Sequence, residues 1–404
     1  MEPSVHPMKR NRRISAVAVL ALAALATGTG TGFAATTTRV ATHTFDTAPA
    51  TATAPSRSFQ GTLPAPTGPY AAGEDVIHLT DASRPDPWVP SSGPRQLTVT
   101  MVYPAVPGTG TPAPYMTLAE AAGSIQHRKL PASSGVTPQN LSSVTTHAFD
   151  GARPKSGKYP LVVLSPAYED PRMTLTSLAT DLASHGYVVA LVGHTYEDTG
   201  ETLANGQTPP CAICDDPALD FGSVTASRAL DVSFVIDRLK HGNTAWRLAH
   251  LIDKHEIGMA GHSLGGAAAA ATMIADPRVR AGVNMDGSFD PAPMPGQINR
   301  PFLMLGIPAN HSVGGHDTTW GQTWAALGGY KKWLTVAGAD HFSFSDLPVL
   351  LEQAGFPTPT LSPERGVVIT REYVKAFFDQ TLKGSHSPLL DGPSPNDPEV
   401  LFQH

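Results

Sequence analysis

Between Ile257 and Ile274 the chain passes from a short apolar run, Ile257 to Ala260, through Gly261-His262-Ser263-Leu264-Gly265-Gly266 into an alanine-rich segment, Ala267 to Ile274. A strand, a turn of very few residues and a helix in that order leave little choice of architecture: the serine must sit on a sharp, strained bend with its hydroxyl above a sheet edge. The glycines have a steric reason, since a side chain at Gly261 or Gly265 would collide with neighbouring backbone. The helix N-terminus behind the serine favours negative charge developing beside it. A five-residue G-x-S-x-G match is weak by itself in a chain of 404 residues. Its placement after a strand and before a helix makes Ser263 a candidate nucleophile.

The remainder alternates strand-like and helix-like stretches, which predicts a mostly parallel central sheet covered by helices on both faces. Val76 to Leu79 and Leu97 to Tyr103 read as two antiparallel opening strands. Leu161 to Leu164, Tyr187 to Val192, Ala281 to Met285, Phe302 to Leu305 and Trp333 to Val336 are apolar enough to be buried strands. Helical spacing marks Leu175 to His185, stopped by Gly186, and Val224 to Leu239, which places Ala229, Val232, Val235, Ile236 and Leu239 on one face and ends near Gly242. A last amphipathic helix, Val367 to Leu382, is expected to close the domain. Residues 106–150 are rich in Gly, Pro, Ser and Thr around a short helical pattern, Met116 to Ile125. An insertion of that length either caps a site or is a tolerated surface excursion.

The N-terminus has the layout of an export signal: Lys9, Arg10, Arg12 and Arg13, the apolar run Ile14 to Ala26, then small residues to Phe33-Ala34-Ala35. The expectation is a signal peptide over 1–34, a flexible Thr/Ala/Pro-rich segment over 35–67, and a folded domain over 68–404 of a protein secreted to the extracellular space. Arg12-Arg13 is followed by Ile14-Ser15-Ala16, a poor fit to twin-arginine export, and the route stays open. The apolar run is shorter than the roughly 20 residues that span a bilayer, so no permanent membrane anchor is expected. The only two cysteines, Cys211 and Cys214, lie three apart, and in a secreted chain they are expected to form a disulfide that shapes a surface loop. A net charge of -6 gives no basic excess for nucleic acid. The 16 histidines form no H-E-x-x-H or Cys/His zinc spacing, so no metal and no cofactor are expected.

An alcohol needs a base, and after such an elbow the base comes last in chain order, on the loop beyond the final strand. His341, in Gly338-Ala339-Asp340-His341-Phe342, is the histidine there. His262 lies within the turn as a packing residue, and His194, His311 and His316 come too early or sit in loops with no role to assign. Three carboxylates compete to orient the imidazole. Asp286 stands one residue past the strand Ala281 to Met285, Asp317 lies far out on a Gly-rich loop, and Asp340 is adjacent to His341 and would have to fold back on it. Asp286 ranks first.

At Gly261 to Gly266, Asn284 to Gly287 and Gly338 to His341 the sequence resembles the platelet-activating factor acetylhydrolase-like branch of the α/β-hydrolases, and more distantly bacterial lipases, cutinases and polyester hydrolases. The likeness extends over about Gly68 to Thr381. It implies the α/β-hydrolase fold, with the acid after the strand that follows the elbow, matching Asp286; cutinase-like relatives place it one strand later. Val163-Leu164-Ser165 and Asp181 to Tyr187 resemble the family's oxyanion-loop strand and the helix after it. Where the family has His-Gly, this chain has Pro166-Ala167, and proline has no N–H to donate. The oxyanion donors implied by the match are the N–H groups of Leu264 and, by matched position, Tyr168, with Ala167 next. Glu169 and Asp170 are unusual there and are expected to face solvent. The function implied is a serine esterase or lipase acting on a lipid or other hydrophobic carboxylic ester, with a lipid interface as one setting for the reaction. The alternatives are a polyester or cutin hydrolase and a non-catalytic secreted binding protein on the same fold.

Overall fold

The computed structural model describes residues 59–240, 245–292, 294 and 296–404. The expected signal peptide, the expected flexible segment up to residue 58 and the helix end near Gly242 lie outside the described residues. Packing starts earlier than Gly68: Phe59 and Leu63 are buried, and Thr67 donates to the Asp181 carboxylate from both its N–H and its hydroxyl.

Among the described residues eleven strands form one sheet: β1 (Ala71–Pro85), β2 (Pro94–Ala105), β3 (Thr111–Pro112), β4 (Ala148–Asp150), β5 (Tyr159–Ser165), β6 (Val188–His194), β7 (Ile252–His262), β8 (Ala281–Met285), β9 (Phe302–Gly306), β10 (Lys331–Val336) and β11 (Val400–Phe402). Their order is β11-β10-β9-β8-β7-β5-β6-β2-β1-β4-β3. From β6 across to β10 every pairing is parallel, while β2 runs antiparallel to β6 and β1 antiparallel to β2, as the opening strands predict. The sequence gives no sign of β11, which returns after the last helix to pair antiparallel with β10. Three residues carry too little periodicity to register.

The helices are α1 (Leu118–His127), α2 (Pro138–Ser142), α3 (Thr176–Ser184), α4 (Phe221–Lys240), α5 (Leu264–Ala275), α6 (Pro308–His311), α7 (Thr318–Ala326), α8 (Leu347–Gln353) and α9 (Pro363–Leu382). Alternation along β5 sends Leu161 and Val163 to one face, where Val232, Val235 and Ile236 of α4 and Ala268, Ala269 and Met273 of α5 cover them. Val162 and Leu164 go to the other, under Leu178 and Leu182 of α3 and Tyr373, Phe377 and Phe378 of α9. Helices on both faces of a largely parallel sheet make this the α/β-hydrolase fold.

From β5 the chain passes to β6 on one side and returns to β7 on the other, so β5 and β7 flank the point where strand order reverses. Ligands of such sheets bind outside the carboxyl ends of the strands at that crevice. Ser165 pairs with Gly261 across it, and the two segments of chemical interest leave the sheet side by side. Within 106–150, Tyr115, Met116, Ala121 and Leu141 pack with Phe59, Leu63, Met173 and Leu350.

Candidate active site

Ser263 links β7 directly to α5 with φ 54° and ψ -124°, a conformation that costs an L-residue energy and persists only where its surroundings impose it. Here they do. The Ser263 N–H donates to Met285 O at 2.8 Å, and Ser263 O accepts from Gly266 N at 2.8 Å. A Cβ on Gly261 would lie 2.1 Å from the Gly265 carbonyl carbon, and one on Gly265 2.1 Å from Ser165 O. Closeness of that order lets the start of α5 press against the end of β5.

The Ser263 hydroxyl lies 3.0 Å from His341 Nε2, and His341 Nδ1 lies 2.7 Å from Asp286 Oδ2. The Asp286 side chain is fully buried, whereas His341 remains partly accessible. Burial alone would raise the Asp286 carboxyl, but hydrogen bonds from His311 and His341 outweigh it and hold it below the usual carboxylate range. The strands account for the proximity: Met285 pairs with His262 on β7 and with Leu305 on β9, so Asp286 emerges beside the serine.

His262 supports the loop that carries His341. Its ring is buried, with centroids 4.8 Å apart, and its Nε2 lies 2.6 Å from the His341 carbonyl oxygen. Burial, and then the neighbouring His341, lower its pKa to about 4. The neutral ring therefore donates Nε2–H to that carbonyl.

The other two carboxylates are elsewhere. Asp340 caps the 3-10 turn His341–Phe344, accepting from Phe342 N at 3.0 Å. Asp317 caps α7 and faces His311 Nε2 at 3.1 Å, away from His341. His311, which sequence reasoning leaves without a role, is buried with its Nδ1 2.6 Å from Asp286 Oδ1. The only signal that could have found it is its place, like Asp317, on the loop after β9, where the cutinase-like branch carries its acid.

The segment after β5 is pinned from behind. Buried Arg228 donates to Pro166 O at 2.5 Å, Ala167 O at 3.5 Å, Ser165 Oγ at 3.3 Å and Glu197 Oε2 at 2.7 Å. In a trans peptide the N–H points opposite the carbonyl, so this grip turns the N–H groups of Ala167 and Tyr168 away from the guanidinium. Among the described residues neither N–H has an internal acceptor. The Tyr168 side chain packs in a small cluster with Leu264, Ile213, Trp88 and Cys211, and its ring meets exposed Phe221 edge-on at 5.3 Å. Cys211 and Cys214 are joined in a disulfide that brackets Ile213, whose carbonyl accepts from Tyr168 Oη at 2.5 Å. The bridge thus shapes a loop in contact with the segment after β5.

Glu169 and Asp170 do not simply face solvent. Asp170 is buried and pairs with Arg128, and Glu169 lies 3.1 Å from His127 Nε2, so both anchor α1 of the 106–150 segment. Folding also gathers His194, Glu197 and Asp231 within metal-ligand distance of one another, which no sequence spacing announces. Arg95 and Arg228 already pair with these carboxylates, so their charge is neutralised without an ion.

The profile of the family described as platelet-activating factor acetylhydrolase, isoform II, matches residues 120–209 and 222–355. A probable 1-alkyl-2-acetylglycerophosphocholine esterase of Arthroderma benhamiae is 27% identical, covering 87% of this chain and 96% of its own. The platelet-activating factor acetylhydrolase of Bos taurus is also 27% identical, over 37% of this chain and 40% of its own. Among solved structures, a ferulic acid esterase from Streptomyces cinnamoneus superposes with a TM-score of 0.76 at 40% identity, over 85% of this chain and 99% of that one. Among the described residues no helix is long and apolar enough to cross a membrane.

Proposed function

The chain belongs to the platelet-activating factor acetylhydrolase, isoform II, family, and on that premise we propose that it is a secreted serine esterase whose nucleophile, base and acid are Ser263, His341 and Asp286. Its relatives are esterases, and carboxylic ester hydrolysis is the activity of the group. One observation carries the residue assignment: a continuous chain of contacts, 3.0 Å from Ser263 Oγ to His341 Nε2 and 2.7 Å from His341 Nδ1 to Asp286, at a strained elbow.

Ser263 Oγ attacks the ester carbonyl carbon as His341 Nε2 takes its proton, and Asp286 stabilises the imidazolium that forms. The carbonyl oxygen, now carrying the negative charge, is met by the N–H groups of Leu264 and Tyr168. Collapse breaks the bond to the alkoxy oxygen, which leaves as the alcohol with the proton from His341. Water then attacks the acyl-serine, giving its proton to the same imidazole, and the carboxylic acid departs with Ser263 restored. No step calls on a cofactor.

The acyl or alcohol portion is hydrophobic in this reading, because Trp88, Tyr168, Ile213, Leu219 and Leu264 cluster beside the elbow, with Phe221 exposed against Tyr168. Two ester sources fit such a wall. An acetylated glycerolipid is supported by the family, and an aryl ester by the ferulic acid esterase and by the aromatic rings beside Leu264. With Asp286 rather than Asp317 beside His341, the polyester reading loses the feature that would have favoured it. The 106–150 segment acts as a cap over the flank of the oxyanion segment, tied there through Arg128 and His127.

A fluorophosphonate probe, followed by peptide mapping, tests the residue assignment: label is expected on Ser263 and absent in Ser263→Ala, and label on another serine refutes it. Initial rates on p-nitrophenyl acetate to octanoate, methyl ferulate, a 2-acetyl phospholipid and a polyester film then separate the substrate readings.

A further inference from the structure

We propose that His311 is a positioning residue for the reaction: an imidazolium clamped between Asp286 and Asp317 that fixes the Asp286 carboxylate and moderates its pull on His341. The inference rests on the assignment of Ser263, His341 and Asp286 given above, and it extends that chain of contacts by two residues.

Both ring nitrogens of His311 face carboxylate oxygens, Nδ1 to Asp286 Oδ1 at 2.6 Å and Nε2 to Asp317 Oδ2 at 3.1 Å. A neutral imidazole has one donor and one acceptor, and an ionised carboxylate only accepts. Neutral His311 would therefore aim a lone pair at a carboxylate on one side, whereas the cation donates on both. Each carboxylate has further donors that keep it ionised. Asp286 accepts from Ile307 N at 2.8 Å and from His341, and Asp317 accepts from Thr319 N at 2.9 Å at the start of α7. The ring also lies flat on Trp320, 4.1 Å between centroids and 13° between planes, an arrangement that favours a cation. Trp320 is held by its Nε1–H to Gly287 O at 2.8 Å, and Trp333 Nε1 donates to the His311 carbonyl at 2.5 Å. Burial would lower the pKa of His311, but its hydrogen bonds to Asp286 and Asp317 raise it, and Asp317 is lowered to about 2.

The consequence reaches the serine through Asp286. A carboxylate shared between two imidazoles stabilises a protonated His341 less than one facing His341 alone. The ionisable groups facing His341 are Asp286 and the neutral ring of His262, and those facing His311 are Asp286 and Asp317. Without His311, the Asp286 carboxylate faces His341 alone and holds its imidazolium more firmly.

The test is the pH dependence of kcat/KM on p-nitrophenyl butyrate, whose acid limb reports the free-enzyme base. His311→Gln keeps a donor for Asp286 without the charge. The acid limb is expected to move up by about one pH unit, with plateau kcat within about tenfold. Asp317→Asn should move the limb the same way, and should move it no further in the His311→Gln background. Either single variant leaving the limb in place overturns the proposal. Nitrogen-15 spectra of histidine-labelled wild-type protein at pH 7 supply a readout that needs no variant to fold: both His311 nitrogens are expected protonated, and a neutral tautomer also overturns it. That spectrum reads His311 even if the wild-type protein hydrolyses no ester, an outcome that would instead overturn the assignment of function.

Discussion

Replacing Asp286 by Asn is the substitution whose outcome the geometry constrains most tightly. Asp286 accepts at two oxygens: Oδ1 takes the N–H of Ile307 at 2.8 Å and of His311 at 2.6 Å, while Oδ2 takes Nδ1–H of His341 at 2.7 Å. An amide has one oxygen and one NH2, and the side facing a backbone N–H cannot be the NH2. The asparagine oxygen is therefore fixed toward Ile307 and His311, and its NH2 points at His341. His341 must then accept at Nδ1 and carry its hydrogen on Nε2, where it faces the Ser263 hydroxyl and cannot take its proton. The charge that would stabilise imidazolium is lost at the same time. A wrong tautomer of this kind costs roughly 10³- to 10⁴-fold in kcat, about 4 to 5.5 kcal/mol at the transition state. The assay is steady-state hydrolysis of p-nitrophenyl butyrate at pH 7.5, with circular dichroism to confirm the fold. Asp317→Asn, whose side chain meets His311 and the start of α7 but not His341, should cost less than about tenfold on the plateau. An Asp286→Asn enzyme within tenfold of wild type, or a larger loss at Asp317, would overturn the assignment of Asp286 and move the acid to the loop after β9.

Three further outcomes follow from buried contacts. Burial pushes the Asp346 carboxyl up to about 7 against hydrogen bonds from Ser177, so the fold favours the protonated acid and loses that contribution as pH rises toward 7. Relative to wild type, Asp346→Asn should therefore gain in Tm between pH 5 and pH 8, and a difference independent of pH would contradict this. Gly265→Ala places a Cβ 2.1 Å from Ser165 O, and the shift it forces between α5 and β5 should lower kcat about a hundredfold, measured beside the thermal transition. Cys211→Ser should change Tm little, because the loop it closes is short, yet lower kcat severalfold as Ile213 loosens from Tyr168; an unchanged kcat would separate the bridge from the site.

The parts of this molecule legible in the sequence are those governed by short-range rules. Apolar runs locate the strands from β5 to β10, and glycine spacing locates the elbow, because steric crowding in a tight turn acts within five residues. Asp286 stands out because it ends a buried strand. Legibility fails where a residue's role is set by partners distant along the chain. Asp170 looks solvent-facing in its own loop but is buried, with Arg128 reaching it from just past the end of α1. His311 reads as an idle loop histidine until β8 and β9 bring Asp286 to its Nδ1. The start of packing at Phe59 is hidden in the same way, because its apolar partners Leu141 and Leu350 come from opposite ends of the domain.

The departure at Pro166 shows how such distant partners can replace a local motif. Proline removes one N–H from the segment after β5, yet its carbonyl remains, and Arg228 takes it together with that of Ala167. Burying a guanidinium costs several kcal/mol unless its charge and donors are met. Glu197 pairs with Arg228 and also with Arg95, Arg95 pairs with Asp86 and Asp231, and Asp231 accepts from His194, which lies 3.0 Å from Ser165 Oγ. The network closes on itself at Ser165, the last residue of β5. Its members come from β2, β5, β6 and α4 and the loops beside them, so it ties the sheet to the helix that covers it. A segment whose carbonyls are held by such a rigid array cannot rotate its peptides as charge develops nearby. Oriented N–H groups that need no reorganisation are what stabilise a transient oxyanion, so in the proposed mechanism this buried network, rather than a His-Gly pair, would fix the direction of the Tyr168 N–H that acts with that of Leu264.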